Sequence, residues 1–190
     1  MNKKIYLFAG GGTFLFLFSL LLDKKAVAII TKLRNPYTDV FFLWITIFMS
    51  VLVLFILVTT LFLIQEKKKE WIFPMWLSFG LAVLISYAIK FIVQRPRPTD
   101  DLFYQVFSSL NYSFPSMHAM VVFSVIPLVM KELDAIKYWW FGIAILIAFS
   151  RLYFSYHYLS DVVFGAFVGI VIGTLVIYLE KKYKPFSFLQ

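Results

Sequence analysis

Apolar residues fill long runs of this chain, and charged positions collect in the short stretches between them. Crossing a hydrocarbon core of about 30 Å takes about 20 helical residues. Six stretches are candidates: about Ile5–Leu22, Val40–Ile64, Trp71–Ile92, Ser116–Met130, Tyr138–Phe154 and Leu159–Leu179. The fourth is short and would borrow residues from a flank to span. The pattern predicts an all-α polytopic membrane protein, a bundle of six transmembrane helices forming a single domain over residues 1–190. Connections are short except Asp23–Asp39 and Val93–Pro115. Within the former, Ala26–Leu33 reads as an interfacial helix whose basic groups reach lipid headgroups. Gly165, Gly169 and Gly173 make a small-residue stripe on the last helix, which favours close packing within the chain over a dimer seam.

Composition strengthens the membrane reading. Of 190 residues, 62% are hydrophobic and 15% charged, too little polar surface for a soluble domain of this size. With no cysteine there are no disulfides and no thiolate metal sites. The net charge of +8 raises nucleic acid as a partner, but the basic residues flank apolar runs, and the aromatic residues lack the basic interleaving of a stacking platform. The bilayer is the expected partner instead. Lys3, Lys4, Lys67, Lys68, Lys69, Lys131, Lys137, Lys181, Lys182 and Lys184 fall on one side. The positive-inside rule makes that side, with both termini, cytoplasmic in a cell membrane. Lys24, Lys25, Lys32 and Arg34 fall on the other and oppose the rule mildly. The first run, starting at Lys3-Lys4, resembles a signal peptide but lacks a small-residue cleavage pattern, so it counts as a span.

Against this apolar background, Lys90, Arg97, His118, Arg151, His157 and Asp161 stand at the ends of greasy segments. Each would cost about 2.5–3.5 kcal/mol at mid-bilayer, so a functional reason is expected for them. The orientation above brings all six, with Ser116, to the extracytoplasmic side. They lie in three stretches: Lys90 to Pro98, Pro115-Ser116-Met117-His118, and Ser150 to Asp161.

These stretches resemble the three motifs of the type 2 phosphatidic acid phosphatase family, which includes membrane lipid phosphatases and soluble vanadium haloperoxidases. Those motifs read Lys-x6-Arg-Pro, Pro-Ser-Gly-His and Ser-Arg-x5-His-x3-Asp. The first and third match at every defined position, and the second departs only at Met117. The resemblance covers residues 90–161. It implies an integral membrane enzyme that hydrolyses a phosphate from a lipid phosphate or diphosphate, with no cofactor. A polyprenyl diphosphate such as undecaprenyl diphosphate is the first expectation for the substrate. Phosphatidylglycerophosphate or phosphatidic acid comes second. A lipid or anion transporter would use the same cations, but would not need His157 paired with Asp161. A phosphotransferase with another acceptor keeps the same chemistry.

The residues carry that chemistry by themselves. His157 and Asp161, four apart, would share a helical face, so that the carboxylate holds one ring nitrogen and leaves the other as nucleophile. Attack on phosphorus would give a phosphohistidine. His118 would protonate the leaving oxygen and then serve as base for water. With two histidines in the chain, a His-rich metal site is not expected. Lys90, Arg97 and Arg151 would neutralise the phosphate oxygens, joined by the Ser116 hydroxyl and the Met117 N–H at a helix start. Lys90 and Arg97 lie nearly two helical turns apart, although Pro96 and Pro98 interrupt that geometry. Methionine at 117 can donate its amide if the backbone is helical there, whereas a positive φ would ask for glycine. Ser150 would support the site through a hydrogen bond. Arg95, on another face from Lys90, reads as a snorkelling side chain. Asp39, Asp100 and Asp101 read as solvated loop acids or helix caps.

Overall fold

The computed structural model describes residues 3–46, 49–99 and 112–183. Among these the chain forms α1 (Lys3–Thr31), α2 (Pro36–Thr46), α3 (Met49–Gln65), a 3₁₀ turn (Lys69–Trp71), α4 (Ile72–Val93), α5 (Met117–Glu132), α6 (Lys137–Tyr153) and α7 (Leu159–Tyr183). No strand occurs among the described residues, in line with the all-α expectation. Two stretches among them, Lys69–Val93 and Leu159–Tyr183, are long and apolar enough to cross a membrane. The apolar run expected unbroken from Val40 to Ile64 is described as α2 and α3, with Ile47 and Phe48 outside the described residues.

The polar step at Asp23-Lys24-Lys25 does not stop α1. Nothing from Asp23 to Thr31 is Gly or Pro, so the backbone ladder runs on. Ala26–Leu33 is therefore not a separate interfacial helix. It is the last part of α1 and the turn that closes it, through Lys32 N–H to Ile29 O (3.2 Å) and Leu33 N–H to Ile30 O (3.0 Å). Asn35 then opens α2. Its side-chain oxygen accepts the N–H groups of Tyr37 and Thr38, both at 3.1 Å, and Pro36 occupies the first helical position.

The centre of the molecule is α5. Met120, Val121, Val122, Val125 and Val129 are wholly buried, and α3, α4, α6 and α7 all pack on this helix. Its largest interface is with α7, and the glycine stripe explains it. A Cβ at Gly165, Gly169 or Gly173 would lie 2.6 Å from Ser116 O, 2.3 Å from Met120 O and 2.0 Å from Ser124 O respectively. The absent side chains let α7 lie directly on the backbone of α5, so the stripe packs within the chain. On the other flank of α7, α1 sets Gly12 against the Phe167 ring. The Phe16 ring of α1 lies 5.1 Å from that of Phe164 and 5.9 Å from that of Phe114.

Outward surfaces are greasy: Leu21, Trp44, Leu84 and Ile92 are largely exposed. The charged groups divide between two ends. At one, Lys68 bonds the Glu132 carbonyl and Lys131 sits 3.6 Å from the Trp71 ring centroid, with Lys181 close enough to interact with it. At the other, Asp23, Arg95 and the start of α7 meet. Lys184 lies outside the described residues.

Candidate active site

Backbone hydrogen bonds tie the three motif stretches together at that second end. Helix α4 stops where Gln94 turns left-handed (φ 50°), just ahead of the Arg95-Pro96 step, where the proline ring disfavours a helical residue before it. The Arg95 carbonyl then accepts Ser113 N–H at 2.8 Å, and Ser116 N–H donates to Asp161 O at 3.0 Å. Past α6, Ser155 also takes a positive φ (55°), and the carbonyl of Arg151 accepts the N–H groups of Tyr156 (3.0 Å) and His157 (3.2 Å). This tight turn returns the chain to the bundle with His157 only 2% exposed.

The pairing of His157 with Asp161 arises differently from the expected shared helical face. Helix α7 begins at Leu159, so His157 lies in the turn ahead of it and Asp161 sits in the first helical turn. There Asp161 Oδ2 accepts Tyr158 N–H at 2.8 Å, the reach-back half of a capping box. The same oxygen accepts the Ser113 hydroxyl. His157 Nδ1 lies 3.6 Å from it, an ion-pair distance beyond a hydrogen bond. Such bonds are often long before substrate binds. Burial first, then the positive charges of Arg97, Lys90 and Arg151, hold the His157 imidazole well below the ordinary histidine range, while the Ser113 backbone pulls the other way. The ring is thus neutral at pH 7, the state in which it can attack.

The cations surround it. Lys90, in the last turn of α4 and 6% exposed, donates to the carbonyls of Tyr112 and Ser113. Arg97 donates through Nη1 to Tyr156 O at 2.7 Å. Arg151, equally buried, has its guanidinium 4.8 Å from the Tyr156 ring centroid. His118, in the first turn of α5, lies within electrostatic reach of Arg151, His157, Arg97 and Lys90. Both imidazoles and all three cations therefore form one cluster.

Ser116 is the N-cap of α5, its hydroxyl accepting Ala119 N–H at 3.5 Å, which leaves the hydroxyl proton to be donated. Met117 opens the helix with an ordinary negative φ, and its side chain is buried in the core. The turn is unstrained, and the thioether faces protein and not lipid. Ser150 is buried and donates to Ile147 O at 2.7 Å within its own helix. Asp39 lies in the first turn of α2, where it accepts the Tyr153 hydroxyl (2.6 Å) and pairs with Arg34 (3.3 Å). Asp100 and Asp101 lie outside the described residues.

Arg95 is the main correction among the side chains. It does not snorkel: Nη1 donates to Asp161 Oδ1 and to Ser160 Oγ, both at 2.8 Å, and Nη2 donates to Asp23 Oδ2 at 2.7 Å. Asp23 stands beside two lysines and outside every motif, so nothing in its sequence context marks it as part of the site. Asp23 is in fact 4% exposed, and it accepts the Ser160 N–H (2.8 Å) and hydroxyl (2.6 Å) as well. Ser113 was also missed, being outside every motif.

A family model described as the PAP2 superfamily matches residues 71–185. An undecaprenyl-diphosphatase of Sulfolobus acidocaldarius is 28% identical over 130 residues, which are 65% of this chain and 62% of that protein. A phosphatidylglycerophosphatase B of Bacillus subtilis is 31% identical over 123 residues, 59% of each chain. The chain thus spans about three fifths of the length of these curated relatives. Among solved structures it resembles a transmembrane PAP2-type phosphatidylglycerolphosphate phosphatase from B. subtilis. The TM-score there is 0.69 at 25% identity, covering 92% of this chain and 98% of that one. It also resembles LpxE of Aquifex aeolicus, with a TM-score of 0.66 at 29% identity over 83% of this chain and 95% of the other.

Proposed function

This chain belongs to the PAP2 superfamily, and from that membership we propose that it is an integral membrane lipid phosphatase acting as one domain over residues 1–190. The observation that carries the reading is the convergence of His157, His118, Lys90, Arg97 and Arg151 in front of a buried Asp161 at one end of the helices. A transporter would need the cations but not two imidazoles, one of them backed by a carboxylate.

In the proposed reaction, the nitrogen of His157 that faces away from Asp161 attacks phosphorus, and the bond from phosphorus to the leaving oxygen breaks. His118 gives that oxygen its proton. Water then attacks the phosphohistidine, with His118 taking the water proton and His157 released as leaving group. Lys90, Arg97 and Arg151 hold the charge spread over the phosphoryl oxygens, and the Ser116 hydroxyl and Met117 N–H add donors at the start of α5. Asp161 stabilises the charge that develops on His157. Among the described residues no three His, Asp or Glu side chains converge as metal ligands, and the proposed steps run without a metal.

The substrate we infer is a polyprenyl diphosphate such as undecaprenyl diphosphate, whose terminal phosphate meets the cations at the outer interface while its tail stays in lipid. The 28% identical relative supports this reading. The 31% identical relative and its B. subtilis structural counterpart favour phosphatidylglycerophosphate as the second reading. The test is phosphate release by the purified protein from undecaprenyl diphosphate, phosphatidylglycerophosphate and phosphatidic acid, with and without EDTA, compared as kcat/KM. The expected result is the highest value for the diphosphate, unchanged by EDTA. Preference for the glycerophospholipid would select the second reading, and release from none of them would contradict both.

A further inference from the structure

Behind the proposed nucleophile lies a row of three charges, of which the motif chemistry uses only Asp161. Asp23 of α1, Arg95 of the segment after α4, and Asp161 of α7 alternate in sign and are joined by bonds of 2.7 and 2.8 Å. Asp23 and Asp161 are 4% and 0% exposed. Ser160 stitches the row, accepting from Arg95 and donating to Asp23. The Arg95 guanidinium also lies 4.0 Å from the Tyr158 ring centroid. A buried pair of charges costs several kcal/mol in desolvation, and a motif-bearing site could hold Asp161 with neutral donors alone. Asp23 also lies outside the segment that the family model matches, residues 71–185. The first helix thus contributes a charged group to a site made by other helices.

We propose that Asp23 and Arg95 are positioning residues, which fix the Asp161 carboxylate behind His157 and set how much of its negative charge His157 feels. The inference rests on the reading of His157 as the nucleophile. Arg95 occupies Asp161 Oδ1, leaving Oδ2 to Ser113, to Tyr158 N–H and to the imidazole. Asp23 holds the other nitrogen of the Arg95 fork, so that the charge of this guanidinium is shared between two acids. Arg95 is two residues from Arg97; released from Asp23, it would bear on Asp161 alone.

The arrangement predicts effects of opposite sign. The charged and titratable groups facing His157 are Arg97, Lys90, Arg151, His118 and Asp161; the Asp23 and Arg95 substitutions change none of them, and only the background used for the spectroscopic titration removes His118. Arg95→Gln removes a cation, so Asp161 holds the His157 proton more firmly and the imidazole protonates at higher pH. Asp23→Asn removes an acid, leaves Arg95 undivided, and makes it protonate at lower pH. Each shift is expected at about 0.5–1 pH unit, smaller than for a charge in direct contact.

Two readouts test this on the full-length protein in detergent. The chain has two histidines, so a His118→Ala background with ¹⁵N-labelled histidine, freed of any tag, leaves His157 as the single titrating imidazole. Its midpoint should rise with Arg95→Gln, fall with Asp23→Asn, and return towards the parent in the double variant. In parallel, with His118 intact, the acid limb of kcat/KM should move in the same directions, with kcat altered more than KM. Arg95→Lys, which keeps the charge and loses the fork, should retain the parent midpoint while lowering kcat, and it stands in should Arg95→Gln not fold. Shifts of the same sign, or equal losses of activity with no displacement of either midpoint or limb, would overturn the proposal. Opposite midpoint shifts in a protein that releases no phosphate would sustain the positioning role and reject the phosphatase reading.

Discussion

At the level of single residues, His157 and Met117 show how burial decides chemistry. Burial and three cations keep the His157 imidazole neutral, and a carboxylate 3.6 Å behind it could take up the charge that the proposed attack would create. Met117 shows a backbone task performed without glycine. Its φ is negative and its amide opens α5, so what the position would offer a phosphate in the proposed site is an N–H that any residue other than proline carries. Met117→Gly is accordingly expected to leave kcat/KM of the folded protein close to the parent value. The same change removes a buried side chain, and is expected to lower unfolding free energy by about 2–5 kcal/mol. Steady-state kinetics and chemical denaturation on the same preparation check both halves. A large gain in turnover would show instead that methionine obstructs the site. The motif residues were legible because their chemistry demands those types at those spacings. Asp23 and Ser113 were not, because a single acid or serine acquires meaning only when the fold sets it against Arg95 or Asp161.

Among the elements, the contact of α7 with α5 fixes the geometry of the site. The two helices start side by side, with Ser116 N–H bonded to Asp161 O, and the glycine stripe holds them together below that point. Gly169→Ala places a Cβ 2.3 Å from the Met120 carbonyl, which only a shift of the helices can relieve. We expect a loss of about 1–3 kcal/mol in stability, read as a lowered Tm in detergent, together with loss of turnover as Asp161 moves from Ser116. Unchanged Tm and activity would mean that the helices are looser than the contact requires. The stripe itself could be read from residues 165, 169 and 173. The continuity of α1 through Asp23-Lys24-Lys25 could not, because hydropathy reports where lipid ends and says nothing of where a helix ends. The same distinction explains His157: spacing placed it on a helix with Asp161, but the chain turns at Ser155 and the helix starts only at Leu159, two residues after His157.

Across the whole molecule, charged groups gather at two ends, which we propose lie on opposite sides of a membrane. Lys68 and Lys131 mark one end, and Asp23, Arg95 and Asp161 the other. The chain has no cysteine, so single introduced thiols report on it cleanly. Lys69→Cys and Gln94→Cys lie at opposite ends of the apolar stretch Lys69–Val93 and are both exposed. In intact cells, an impermeant maleimide is expected to label Cys at 94 and to reach Cys at 69 only after lysis. The reverse pattern would place the site on the cytoplasmic side and contradict the proposed orientation. The central claim, that His157 takes the phosphoryl group, is met most directly by rapid quenching of the purified protein with polyprenyl diphosphate labelled with ³²P in its terminal phosphate. The account predicts an acid-labile, base-stable label on His157, absent in His157→Ala, which also releases no phosphate. Continued phosphate release by the folded His157→Ala protein, or a label recovered on any other side chain, would contradict it.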